Sequence, residues 1–329
     1  LRVMTYNVLA DAYSHTWKEL YPYLSDEAAD AEYRLLLAME DVRVAKPDVV
    51  ALQEVDKKWY DAFWVPQMRA AGYVPAGGLT EKTGLTREGC ATFCRGDEWR
   101  PVRTEETGLN TPGPMPEERD TSDWVSSQPH LADALSKVNT VAQLAVLESA
   151  AGDGRAVVVA NTHLFFHPGA VHLRVMQARW LLRHADGLRR RWVEADNEAG
   201  RGGGKEVGLV VCGDFNGEPF DGVIRFVRES VLGAGDGDWA LGSVFRWGAA
   251  MHLRHPLALV SACGYPEFTN YVGGFAGSLD YVWFDSSALE SVASMPMPPL
   301  DAVTAETALP NSEFPSDHLP MVADLRFTR

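Results

Sequence analysis

Leu209-Val210-Val211-Cys212-Gly213-Asp214-Phe215-Asn216-Gly217-Glu218-Pro219 is an apolar run that reaches a glycine and then delivers Asp and Asn two positions apart. Alternate residues of an extended chain face the same way, so Asp214 and Asn216 can share one face of a strand end. Gly217 and Pro219 then break the extension. Two readings fit these residues about equally: the floor of a metal-assisted hydrolase, or a turn capped by its Asp and Asn.

Other apolar stretches repeat the pattern. Val3-Met4-Thr5-Tyr6-Asn7-Val8-Leu9 carries Asn7, and Val49-Val50-Ala51-Leu52-Gln53-Glu54-Val55 ends in Gln53-Glu54. Val157-Val158-Val159-Ala160-Asn161-Thr162-His163 ends in a polar triplet. Leu279-Asp280-Tyr281-Val282-Trp283-Phe284 begins with Asp280, and Ser316-Asp317-His318 precedes the closing strand Met321-Val322-Ala323-Asp324-Leu325. Each polar end taken singly is an ordinary buried His, solvated Asp or polar turn. Taken together they argue for a convergent site.

In order and spacing, Asn7, Gln53-Glu54, Asn161-Thr162-His163, Gly213-Asp214-Phe215-Asn216, Leu279-Asp280-Tyr281 and Ser316-Asp317-His318 resemble the endonuclease/exonuclease/phosphatase superfamily, across almost the whole chain. Tyr6-Asn7-Val8-Leu9-Ala10-Asp11-Ala12-Tyr13 resembles its deadenylase branch. Leu20-Tyr21-Pro22-Tyr23, Leu52-Gln53-Glu54-Val55-Asp56, Ala91-Thr92-Phe93, Ser261-Ala262-Cys263-Gly264 and Thr269-Asn270-Tyr271-Val272-Gly273-Gly274-Phe275 are similar to the 2′,5′-phosphodiesterases that also remove poly(A) tails.

Composition is compatible with a catalytic domain of this kind. At 46% hydrophobic and 23% charged, the 329 residues can bury a sizeable core, and no run is apolar for long enough to span a bilayer. A net charge of −15 argues against a basic nucleic-acid coater, but not against a nuclease whose site is made attractive by cations. Cys90 and Cys94 lack a partner pair at zinc spacing, so reduced intracellular thiols are the better reading of the four cysteines.

Alternating strand and helix patterns predict mixed sheets with helices outside. The expected features are a polar, aromatic-rich loop over 11–26, a helix carrying Leu35, Leu36, Met39 and Val42 that stops at Pro47, a helix over 57–71 kinked at Pro66, and a short strand over 90–94. Further on come a Pro- and Gly-rich loop or lid over 104–123, strands near 139–147 and 156–163, and a flexible surface loop over 195–206. An amphipathic helix over about 170–194 sets Val171, Val175, Ala178, Leu182, Ala185, Leu188 and Trp192 on one side, with Arg189-Arg190-Arg191 solvated at its end. Residues 1–329 are expected to be one catalytic domain. The resemblance sharpens the fold class to an α/β four-layer α-β-β-α sandwich of two stacked mixed, mainly antiparallel sheets, with the site at one end.

Hard divalent cations prefer oxygen ligands, which suits Glu54, Asp214, Asn216 and Asn7 and favours one or two Mg²⁺ ions, with Mn²⁺ as a substitute, over zinc. The resemblance implies that Asp214 deprotonates or orients the attacking water, that Asn216 holds it or the ion, and that His163 and His318 hydrogen-bond the phosphoryl oxygens. It further implies that Asp280 orients His318 and that Asp317 contacts a second ion or a water. Pro168 and Phe275 would sandwich a terminal base, with Asn161, Asn270 and Tyr271 also on the substrate side. Phe165-Phe166 stand after His163 with no polar edge atom to read a base, and at least one of them is expected in the core.

The activity so implied is Mg²⁺-dependent 3′-to-5′ hydrolysis of 2′,5′-oligoadenylate and 3′ poly(A), releasing 5′-AMP. The alternatives are a sphingomyelinase- or inositol-phosphatase-like esterase acting on a lipid headgroup, and a catalytically dead RNA-binding protein. The partner expected is RNA or oligoadenylate, with no membrane, no leucine-rich-repeat module and a monomeric enzyme. Leu1 stands at the mouth of a strand, so any targeting segment is expected upstream. Resemblance alone suggests an intracellular, mitochondrial-matrix location, with cytoplasm as the alternative.

Overall fold

A computed structural model of the chain describes residues 1–16, 19–84, 86–111, 119–198, 206–240 and 251–328. Its strands form two large sheets. In the first the order is Leu289–Ser294, Met321–Phe327, Arg2–Asn7, Val49–Asp56, Glu88–Arg95, Tyr73–Pro75, with Thr80–Glu81 also paired to Glu88–Arg95. In the second it is Leu259–Ser261, Asp280–Asp285, Val207–Asp214, Ala156–His163, Val141–Ser149, Trp99–Gly108. Among the described strands, each large sheet has one parallel pair: Arg2–Asn7 with Val49–Asp56, and Ala156–His163 with Val207–Asp214. Parallel neighbours need a crossover, and a helix supplies one in each case, Ala31–Ala45 in the first and Val171–Glu198 in the second.

Strand alternation sorts the layers. Val3, Val49, Ala51, Val157, Val159, Val210 and Cys212 fill the space between the sheets. Their neighbours Met4, Tyr6, Val50 and Leu52 pack outward on Leu35, Met39 and Val42 of the first crossover helix. Val158, Ala160, Leu209 and Val211 pack outward on Met176, Trp180 and Leu181 of the second. The result is the expected four-layer α-β-β-α sandwich. The first crossover helix begins where Asp30 accepts the Tyr33 N–H at 3.1 Å and ends at Lys46, whose φ of 47° precedes Pro47.

Several local expectations are corrected. The 11–26 stretch contains a short helix, Asp11–Thr16. The 57–71 helix passes through a π turn at Tyr60–Trp64, and Pro66 follows directly on that turn, at the second position of Val65–Ala70. The two ends of the supposed 104–123 lid are regular structure: 104–108 complete the Trp99–Gly108 strand, which pairs along Val141–Ser149, and 119–123 lie in the helix Arg119–Ser126. On that edge strand Glu105 is bonded to Arg103 and Arg191. The lid's 112–118 portion, like 199–205 of the expected surface loop, lies outside the described residues, and 195–198 complete the long helix.

That helix is also not amphipathic from end to end. Val171 to Leu182 is buried on every side, because Val125, Leu131, Leu135, Val223, Phe226 and Trp239 from flanking segments cover its outer face. Arg189 meets Asp186 and Asp285 at 2.9 and 2.7 Å, Arg190 meets Asp186, and Arg191 meets Glu105, so this basic run is paired with carboxylates. Among the described residues no helix is long and apolar enough to cross a membrane.

Candidate active site

Parallel strands end together, and the C-terminal ends of both parallel pairs lie at one end of the sandwich. Asn7 is in register with Gln53, and His163 with Asp214. The antiparallel neighbour sets Asp280 directly opposite Asp214, and a bridge joins Asn270 to His318. Three backbone departures aim the side chains. The Val49–Asp56 register shifts between Leu52 and Val55, and Glu54 sits in that bulge at φ 57°. Asn216 turns out of its strand at φ 48°. Gly213, at φ 138°, lies so close to the neighbouring strand that a Cβ would stand 1.9 Å from the Thr162 carbonyl oxygen, so only glycine fits before Asp214.

Asp214 is the centre of the cluster and is 1% exposed. Its Oδ2 accepts the Asn7 amide at 3.1 Å and is faced by Nε2 of His163 at 3.5 Å and Nε2 of His318 at 3.6 Å. Its Oδ1 accepts the Asn216 N–H at 2.8 Å. The Asn7 amide also donates to Glu54 Oε1 at 3.0 Å, while Glu54 Oε2 takes the Ala10 N–H at 2.9 Å. Asp280 Oδ2 lies 2.7 Å from His318 Nδ1 and accepts the Thr269 hydroxyl at 2.7 Å; its buried Oδ1 has no hydrogen-bond partner among the described residues. Ser316 Oγ donates to the Asn7 carbonyl at 2.6 Å and accepts the His318 N–H, tying the last motif to the first.

Burial of so many carboxylates sets the electrostatics. Burial, then the Glu88 and Asp317 charges, push Glu54 up to about 8, against the pull of Lys82. Asp214 is raised to about 6, chiefly by burial, with Asp280 adding to the rise and His318 opposing it. Burial works to discharge both imidazoles. His318 nonetheless stays well above its ordinary value because Asp280, Asp214 and Asp317 surround it. His163 falls well below, since Lys82 and His318 add to the effect of burial. One ring is therefore held charged and the other neutral around a shared carboxylate.

The structure brings together Asn7, Glu54, His163, Asp214, Asn216, Asp280 and His318. Asp317 sits one shell out, its Oδ2 accepting Tyr21 O–H at 2.9 Å and the Asn270 amide at 3.3 Å. Asn161 needs correction as a substrate contact. It is fully buried, its Oδ1 takes the Gln53 amide at 2.8 Å, and its own amide reaches the Leu52 and Ala91 carbonyls. It is a polar clamp between the two sheets. The Tyr271 ring packs on Phe268 beside the Val303, Leu309 and Leu319 cluster, so its side chain is part of a satellite core. Pro168 opens a 3₁₀ turn, its carbonyl held by Arg174, and Phe275 lies 41% exposed on the Asn270–Val272/Phe275–Gly277 hairpin. Phe165 packs against the core while Phe166 is 60% exposed.

Sequence reasoning missed Lys82, Glu88 and Arg34. Lys82 Nζ meets Glu88 Oε1 at 2.9 Å and His163 Nδ1 at 3.1 Å. Arg34 is 3% exposed and donates to the Val8, Leu9 and Pro315 carbonyls, holding the first and last motif loops together. None of the three sits in an informative local pattern. A Lys among Glu, Thr and Gly reads as surface, and an Arg on a helix as a solvated face.

The residues present fit a divalent cation. Glu54 and Asp214 are buried carboxylates joined through a neutral amide, and Asp280 keeps a buried oxygen unpartnered among the described residues. Hard oxygen donors in negative excess suit such an ion. Ligand atoms of Asp214, Asp280 and His318 also lie within 4.8 Å of one another, a group that could hold a metal. Because His318 Nδ1 and Asp280 Oδ2 are engaged with each other, the oxygens there and at Glu54 are the better hard-ion ligands.

Residues 4–318 match the model of the Endonuclease/Exonuclease/phosphatase family. The chain is 33% identical to 2′,5′-phosphodiesterase 12 of Rattus norvegicus over 332 residues, covering 99% of this chain and 52% of that protein. It is 25% identical to the CCR4-Not complex 3′-5′-exoribonuclease subunit Ccr4 of Schizosaccharomyces pombe over 345 residues, covering 98% and 49%. The chain thus spans about half the length of the curated relatives it matches. The solved structure of ANGEL2, a 2′,3′-cyclic phosphatase, in complex with adenosine-2′,3′-vanadate shares the fold at a TM-score of 0.78 and 20% identity, covering 100% of this chain and 96% of that one.

Proposed function

Because the chain belongs to the endonuclease/exonuclease/phosphatase family, we propose that it is a magnesium-dependent phosphodiesterase that removes nucleotides from the 2′ end of 2′,5′-oligoadenylate and the 3′ end of poly(A), releasing 5′-AMP. The observation that carries the reading is the convergence on Asp214 Oδ2 of one amide and two imidazole Nε2 atoms beside the Glu54 carboxylate. Similarity along 99% of the chain to a 2′,5′-phosphodiesterase supports the substrate class.

In this reading Glu54, Asn7, Asp214 and Asn216 would hold the ion, with Asp317 acting on a second ion or a water. Bound there, magnesium or manganese supplies charge neutralisation for the phosphate and the departing oxygen. Asp214 orients the attacking water and takes its proton through Oδ2. His163 and His318 donate from Nε2 to the phosphoryl oxygens, where negative charge grows in the transition state. Asp280 holds the His318 ring through Nδ1, fixing its direction and its charge. Phe275 and Pro168 grip the terminal base, and Asn270 keeps the hairpin that carries Phe275 against the Asp317 loop.

The test is an assay of the purified protein on 2′,5′-linked triadenylate, poly(A), poly(U) and an abasic DNA duplex, with and without magnesium. Release of 5′-AMP from the two adenylates only when magnesium is present is the expected result. Cleavage of the abasic duplex in preference to both adenylates would overturn the substrate class.

A further inference from the structure

We propose that Lys82 is a positioning residue that fixes His163 as the tautomer carrying its proton on Nε2. Lys82 follows the Thr80–Glu81 strand, and its side chain is only 18% exposed. Its Nζ lies 2.9 Å from Glu88 Oε1 and 3.1 Å from His163 Nδ1. An ammonium group offers hydrogens and no lone pair. A ring nitrogen at that distance can meet it only as an acceptor, so Nδ1 is bare and the single ring proton sits on Nε2. That atom faces Asp214 Oδ2 at 3.5 Å.

A competing pull exists and is weaker. Glu54 Oε1 lies 3.9 Å from His163 Nδ1 and would favour a proton there. The distance is beyond hydrogen-bond range, and Oε1 already accepts the Asn7 amide at 3.0 Å. Lys82 is anchored in turn, because Glu88 is 1% exposed and its Oε1 also lies within reach of the Tyr13 hydroxyl at 3.5 Å. His318 is handled in the opposite way: its Nδ1 faces the Asp280 carboxylate at 2.7 Å, so there the ring donates. A cation anchors one imidazole and an anion the other, yet both present Nε2–H toward the same carboxylate oxygen. Without Lys82, His163 is free to move its proton to Nδ1 and turn a lone pair toward the phosphate. The kinetic consequence rests on the proposed role of His163 at a phosphoryl oxygen; the tautomer itself does not.

The experiment uses ¹⁵N-histidine-labelled full chain and two-bond proton–nitrogen correlation spectra at neutral pH, with His163→Gln assigning the signals. Wild type is expected to show His163 with an unprotonated Nδ1 and a protonated Nε2. Lys82→Met should convert it to a mixture or to the Nδ1–H form, and kcat should fall about 10- to 100-fold with KM changed less than threefold. Lys82→Arg, which again offers only donors, should keep the tautomer and most of the kcat. Since Lys82→Met leaves Glu88 buried without its partner, Lys82→Met/Glu88→Gln removes both charges and should give the same spectrum as the single variant. A wild-type spectrum with Nδ1 protonated overturns the proposal outright. An unchanged tautomer in Lys82→Met with a raised KM also overturns it, and makes Lys82 a phosphate contact instead. If no nucleotide is cleaved the proposed function fails, while the spectra still decide the tautomer.

Discussion

Asp214 and Asp280 stand directly opposite each other on adjacent antiparallel strands, and His318 lies across both, its Nδ1 2.7 Å from Asp280 and its Nε2 3.6 Å from Asp214. Two carboxylates that the sheet alone would leave in repulsion are thereby bridged by one imidazolium. The register that creates the electrostatic problem also supplies the site's charged donor, which makes Asp280 the residue whose loss should be felt through a ring it only positions.

Asp280→Asn should therefore lower kcat about 10- to 100-fold. His318 is held well above its ordinary value, with Asp280 as the largest raising influence. Removing that carboxylate brings the ring's pKa down. Activity that needs charged His318 should then be lost as pH rises at a lower pH than in wild type. Profiles of kcat against pH for both proteins check this; an unmoved alkaline limb would separate Asp280 from His318.

Glu54→Gln keeps the shape of the bulged residue and removes its charge. Turnover on any phosphodiester should disappear. A ligand that binds only the folded state raises its stability, so magnesium should raise the melting temperature of wild type and leave that of Glu54→Gln where it was. Thermal melts across a magnesium titration measure this without reference to substrate.

Phe275→Ala should weaken kcat/KM on 2′,5′-oligoadenylate and on poly(A) by similar factors, in the range of one base stack, about 1–3 kcal/mol. The ring is exposed on its hairpin. A small chromogenic phosphodiester, which has no base to stack, should be cleaved almost as well as by wild type. Equal losses on all three substrates would make Phe275 a support of the fold.

Asp41 tests the electrostatics away from the site. Burial, with a smaller push from Glu40, raises it to about 6 despite the Tyr6 hydroxyl that it accepts at 3.1 Å. An acid whose folded pKa is raised favours the folded state below its unfolded value near 3.9. That contribution is lost as pH rises through about 6. Asp41→Asn keeps an acceptor for Tyr6 without the charge. It should melt about 2–4 °C above wild type at pH 7.5, and the gap should close by pH 4.

The crossover helices and the strands that flank the site were legible because their signals are local. Alternation in Val157-Val158-Val159-Ala160 and Leu209-Val210-Val211-Cys212 sends successive side chains to two different cores, and glycine and Pro47 mark where elements stop. The supposed lid over 104–123 failed over 104–108 for an equally local reason. Charge on the open side of an edge strand has the same composition as a loop, and only its pairing with Val141–Ser149 tells them apart.

By itself the sequence determined the order of the strands, the polar residue closing each one and the oxygen-rich chemistry of the cluster, since periodicity and residue type are properties of neighbours along the chain. The tertiary structure alone decided which of those residues meet. Asn161 and His163 end the same strand two positions apart, and one is sealed between the sheets while the other reaches Asp214. Lys82 and His163 are 81 positions apart and within hydrogen-bond distance. The charge on each imidazole depends on what faces it across such a gap, on burial and on register. None of these is written in the residues on either side of it.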